Sequence, residues 1–124
     1  MEIQEGISPA IKKEASSVRP RPEDLAVAQE VKRRLARHVR LYDFRLFGSR
    51  ARGTANSESD MDIYLETDDL TEEQQQIIRD IVWEIGFERN IVIVPSIFTK
   101  AEVENSPLKA SPFYKTVKRE GVAL

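Results

Sequence analysis

The segment Asp60-Met61-Asp62-Ile63-Tyr64-Leu65-Glu66 alternates polar and apolar side chains without a break. Successive residues of a strand point to opposite faces, so Met61, Ile63 and Leu65 share one face and Asp60, Asp62, Tyr64 and Glu66 share the other. The apolar face must be covered, and a strand cannot cover itself. The chain therefore needs a sheet with helices packed on it, and the rest of the sequence must supply both.

It does so in order. Pro22 suits a first helical position, and Glu23 and Asp24 suit the positive end of the helix dipole. Leu25, Ala28, Val31, Leu35 and Val39 then recur at spacings of three and four, which predicts a helix with one apolar face. Lys32, Arg33, Arg34, Arg37 and Arg40 crowd its C-terminal half as a solvated basic face. "LYDFRLF" reads as a strand, and the Gly- and Ser-rich "GSRARGTANSES" as a loop. Thr71 opens a second helix with Ile77, Ile78, Ile81, Val82 and Ile85 facing inward and Gly86 as its stop. "NIVIVPSIF" is a third strand. Its continuous apolar run predicts cover on both faces at first, and Pro95 predicts an edge position or an end. Thr99 with Glu102 makes a capping box for a short helix, and Ser111-Pro112 begins a last helix that Gly121 ends.

The expected architecture is α+β: a mixed sheet of three or more strands with helices on one side. Residues 1–21 read as an N-terminal arm, either with a short helix around Ala10 to Ala15 or packed on a partner. Residues 22–124 form one domain, as a chain of 124 residues allows.

Composition narrows the function classes. The net charge is −2, so no global basic field argues for nucleic-acid binding. Cysteine is absent, which excludes disulfides, thiolate catalysis and cysteine zinc sites and fits a cytoplasmic protein. No apolar run approaches the ~18 residues of a membrane span.

The chemistry concentrates between Leu46 and Glu66. Two carboxylates on one strand face, roughly 7 Å apart along it, repel unless a cation lies between them. Their hard oxygens suit magnesium, which leaves coordination positions to water and phosphate. Gly48 lets the backbone approach closely, and amides with the Ser49 hydroxyl can donate to phosphate oxygens. Arg50 and Arg52 add positive charge, as phosphate contacts or as ordinary surface charge.

Gly48-Ser49, ten intervening residues and Asp60-Met61-Asp62, within "LFGSRARG" and "SDMDIYLE", resemble the signature of the minimal nucleotidyltransferases of the polymerase-beta superfamily. The resemblance spans Leu41 to about Phe98, and the tail "SPFYKTVKREG" is similar to members of the group. It implies a small polymerase-beta-like fold. It also implies that Gly48, Ser49, Arg50 and Arg52 hold a nucleoside triphosphate, with ATP expected. Asp60 and Asp62 would then act as catalytic ligands of two magnesium ions while a hydroxyl attacks the α-phosphate. Many stand-alone domains of this size are antitoxins of all-helical HEPN ribonuclease toxins, and some adenylylate them. The implied partner is such a toxin, with self-association as the other possibility. The family often carries a third carboxylate on the following strand. Neither face of "NIVIVPSI" has one; Glu66 and Glu88, both at strand ends, are the substitutes in principle. A nucleotide-binding antitoxin with little transferase activity is the alternative this departure favours.

Two further residues stand out. His38, alone near a helix C-terminus, reads as a dipole-favoured surface residue. Trp83 falls nearly opposite the apolar face of its helix. It is either a partner anchor or a residue covered by the arm or the last helix.

Overall fold

The computed structural model describes residues 19–124. The proposed short helix at Ala10 to Ala15 lies outside them. Helix α1 (Pro22–Ala36) leads into β1 (Leu41–Phe47). One helical turn, α2 (Ser49–Arg52), and a loop connect β1 to β2 (Met61–Thr67). Then come α3 (Glu72–Arg89), β3 (Ile93–Thr99), α4 (Lys100–Asn105), a 3-10 turn (Pro107–Ala110), α5 (Pro112–Glu120) and the short β4 (Val122–Ala123). Among the described residues no helix is long and apolar enough to cross a membrane.

The sheet order is β3-β2-β1-β4. Strand β2 runs antiparallel to β1 and parallel to β3, and β4 adds antiparallel to β1. The mixed sheet is the expected one with a fourth strand. Val122 and Ala123 are too few to show a period, and their pairing with Leu46 and Arg45 makes them a strand.

Met61, Ile63 and Leu65 are fully buried under α1 and α3, where they meet Val31, Leu35, Ile78 and Ile85. Val27 takes the place expected of Leu25, because residues 24, 27, 28, 31 and 35 form the inward stripe of α1. Asp24 therefore starts on the core face and is buried, rather than being only a dipole-facing acid.

Helix α3 runs through Gly86 to Arg89, so the stop is not the glycine but Asn90, in the left-handed conformation. Its N–H bonds the Phe87 carbonyl, and the Ile91 N–H bonds that of Gly86, which is a Schellman closure. Gly86 is needed for a different reason: a Cβ there would lie 2.5 Å from the Ile91 carbonyl oxygen. Reciprocal capping boxes start α3 at Thr71–Gln74 and α4 at Thr99–Glu102.

Strand β3 is an edge strand, as Pro95 suggests. The Met61 N–H bonds the Val92 carbonyl, so even-numbered residues turn their peptide groups inward and the missing N–H of Pro95 falls on the open edge. The expected cover on both faces at the start of β3 is not found: Ile93 is buried, but Val92 and Val94 are exposed. The hydrophobic run reflects an open apolar surface there, not a double-sided core.

The opposite face of the sheet is also partly covered. Helix α5 lies across it, with Val117 buried and Tyr114 edge-on to Tyr64, which is itself fully buried. Lys118 bonds Asp43 and, at 2.8 Å, Glu66. Burial opposes the ammonium, but hydrogen bonds to Asp43 and Glu66 outweigh it and raise the pKa. Burial likewise opposes the Asp43 carboxylate, yet its bonds from Lys118 and Arg45 lower its pKa. Burial and a 2.6 Å bond from its hydroxyl to Glu66 hold Tyr64 in the phenol form.

Candidate active site

Strand β1 ends at Phe47, whose cross-strand partner is Asp62. The chain turns at once at Gly48, with φ 78° and ψ −159°, a conformation essentially confined to glycine. A Cβ on Gly48 would stand 2.5 Å from Asp62 Oδ2. The glycine and the second aspartate are thus in direct contact, although thirteen residues separate them in the chain. Ser49 begins α2, a helical turn where the Gly- and Ser-rich sequence predicts open loop. The Gly48 carbonyl accepts from the Ala51 and Arg52 amides, and Gly53, left-handed, closes the turn.

Asp62 is half-buried. Burial raises its pKa, the negative charge of Asp60 raises it further, and Arg52 opposes both. Asp60, Asp62 and Arg52 are therefore electrostatically coupled. Asp60 lies just outside β2 and is exposed, whereas Asp62 sits within the strand.

Arg50 is placed elsewhere. It is buried, and Nη1 lies 2.7 Å from Asp24 Oδ1. Nε and Nη2 donate to the Ser59 carbonyl, and Nη2 also reaches that of Asn56. Its guanidinium is committed to α1 and the 56–59 loop rather than turned to a phosphate. Arg21 adds a second tie, donating to the Ala55 carbonyl at 2.6 Å. This latch was not visible in sequence as a pair. The signal lay in Asp24 standing one turn before Ala28 on the inward stripe.

The chain belongs to the nucleotidyltransferase domain family. Residues 26–124 match the family's model. No curated relative matches the chain. Membership brings nucleotidyl transfer from a nucleoside triphosphate as the general chemistry, with a divalent metal as its usual companion.

The resemblance implies a third carboxylate on the strand after the paired aspartates, and β3 of this nucleotidyltransferase carries none. Val94 is in register with Asp62 across the parallel pair, and Ser96 with Tyr64. An exposed valine thus stands beside the aspartate. Glu66 is held by Tyr64 and Lys118, and Glu88 lies on α3, not at a strand end. Among the described residues no three acids, histidines or cysteines gather in a metal-binding group. His38 is exposed, and its carbonyl accepts from Gln74.

Trp83 is 68% exposed and Phe87 74% exposed, and their rings stack at 5.2 Å. They line a groove of about 640 Å³ with Val92. Ser57, Glu58 and Ser59, in the loop that leads to Asp60, also line it.

Proposed function

We propose that this nucleotidyltransferase is magnesium-dependent and transfers AMP from ATP to a hydroxyl of a protein partner. The observation that carries the reading is the contact of Gly48 with the Asp62 carboxylate. It joins a bare backbone turn able to receive phosphate to an acid able to share a cation. The amides opening α2 and the Ser49 hydroxyl would donate to the β- and γ-phosphates. Asp62, with Asp60 beside it, would hold the metal. Two hard oxygen donors fit an ion that leaves its remaining positions to water and phosphate. When bound, magnesium supplies charge neutralisation for the triphosphate. Arg52 would add to the positive potential at the mouth. The acceptor oxygen bonds to the α-phosphorus, the bond to the bridging oxygen breaks, pyrophosphate leaves, and the hydroxyl proton passes to solvent or substrate.

The groove beside Trp83 and Phe87 supports a protein acceptor. It is apolar, open and bounded by the loop that ends at Asp60, so a helix seated there would lie next to the site. An all-helical HEPN-type toxin fits that description, and a cysteine-free chain suits a cytoplasmic setting.

A second reading rests on Val94. With no carboxylate beside Asp62 on β3, the domain would bind nucleotide and partner but transfer little. Labelled ATP, magnesium and the candidate partner, offered to wild type and to the Asp60→Ala, Asp62→Ala double variant, separate the two. Label on the partner with wild type alone supports the enzyme. Tight partner binding without label supports the module.

A further inference from the structure

We propose that Phe113 is the stacking platform for the base of the bound nucleotide, a role that rests on the nucleotide site proposed above. Phe113 is the second residue of α5 and is 39% exposed. The other apolar residues of that helix are turned to the sheet: Val117 is buried and Tyr114 packs on Tyr64. Phe113 instead rests edge-on against Phe47, at 5.7 Å and 84°, and tilted against Phe98, at 6.2 Å and 50°. Two aromatic rings hold it in place while part of its surface stays open.

Its position gives the open ring a use. Phe47 is both the residue before Gly48 and the cross-strand partner of Asp62. Strand pairing and the ring contact together put Phe113 on the order of 10 Å from the Asp62 backbone. A ribose with its α-phosphate at Asp62 would carry the base toward this ring. Phe98, on which Phe113 rests, lines a cavity of about 390 Å³ together with Leu108 and Ser111. The side chains that fix Phe113 are hydrocarbon rings with no hydrogen-bonding group. A base would be gripped by its face rather than read at its edge, and purines, with more surface, would bind more tightly than pyrimidines.

The competing explanation is that Phe113 only closes the aromatic cluster over Tyr64. An aliphatic residue would serve that end, so Phe113→Leu and Phe113→Trp discriminate. The probes are magnesium ATP and magnesium tripolyphosphate, with affinities from titration calorimetry on the full chain. Phe113→Leu is expected to weaken ATP by about 5- to 100-fold. It should leave tripolyphosphate within about twofold, and Phe113→Trp should keep ATP near wild type. Unchanged ATP affinity in Phe113→Leu overturns the proposal, as does an equal loss for both probes, or normal ATP binding with reduced transfer. Failure of wild type to bind either probe overturns the nucleotide site itself, a result distinct from the others.

Discussion

The α-carbon of Gly48 lies so close to the carboxylate of Asp62 that a single added methyl group would stand 2.5 Å from Oδ2. The contact welds the end of β1 to the middle of the proposed metal site, and it makes Gly48→Ala a sharp test. The substitution meets two penalties, a backbone of φ 78° that alanine avoids and a clash with an oxygen. We expect a loss of about 1–3 kcal/mol in stability from the backbone alone. Magnesium-dependent ATP binding should fall further than Tm does, because Asp62 must move aside. Calorimetry and a thermal melt on the same sample check this; retained ATP affinity would show that the turn does not border the phosphates.

The Asp24–Arg50 pair fastens α1 to the turn after β1, and both side chains are buried. Among the described residues, Asp24 Oδ2 has no hydrogen-bond partner. Removing one charge strands the other in a poorly solvated place. Arg50→Ala should cost about 3–5 kcal/mol, and Asp24→Leu with Arg50→Met considerably less. Chemical denaturation of the three variants and wild type measures it. A loss below about 1 kcal/mol for Arg50→Ala would mean that the guanidinium is not the latch, and a phosphate role for it would return.

Trp83 and Phe87 are stacked on each other in solvent. Trp83→Ala and Phe87→Ala should each leave stability within about 0.5 kcal/mol, as surface substitutions do. If the groove seats the acceptor, each should weaken partner binding by about 2 kcal/mol or more, the scale of an interface anchor. Sedimentation and pull-down titration read both self-association and partner binding, and no change in either removes the groove from the interface.

Asp43 joins Lys118 and Arg45 under α5. Its pKa in the folded protein is lowered because, despite burial, two cations hydrogen-bond it. The stability it contributes is therefore complete above the unfolded value of about 3.9 and disappears as pH falls through the lower folded value. Lys118 is raised, so its share is complete below about 10.4 and fades only as pH climbs through its higher folded value. Asp43→Asn should cost about 1–2 kcal/mol from pH 5 to 9, and the gap to wild type should narrow only as pH falls from about 3.9 through the lower folded value. Melts across that range test it; a gap that persists in strong acid would assign the cost to packing.

Sequence alone was enough for most of what a local rule governs, though not for the end of α3, which Asn90 closes instead of Gly86. The core face of Met61, Ile63 and Leu65, the stripe of α3, most of the stripe of α1 and the Thr99–Glu102 capping box depend on residues close in the chain, and each is found. Gly48, Ser49, Asp60 and Asp62 stood out because their chemistry is unusual at that spacing. What sequence could not supply was contact between distant segments. Asp24 and Arg50 are 26 positions apart and read separately as a dipole acid and a phosphate cation; burial on one side of α1 made them partners. Val122 and Ala123 became a strand only because β1 offered an open edge. Val94 became the neighbour of Asp62, and Phe113 of Phe47, through strand register and helix placement. Local preference sets which elements form, whereas the need to cover both faces of one small sheet decides which side chains meet.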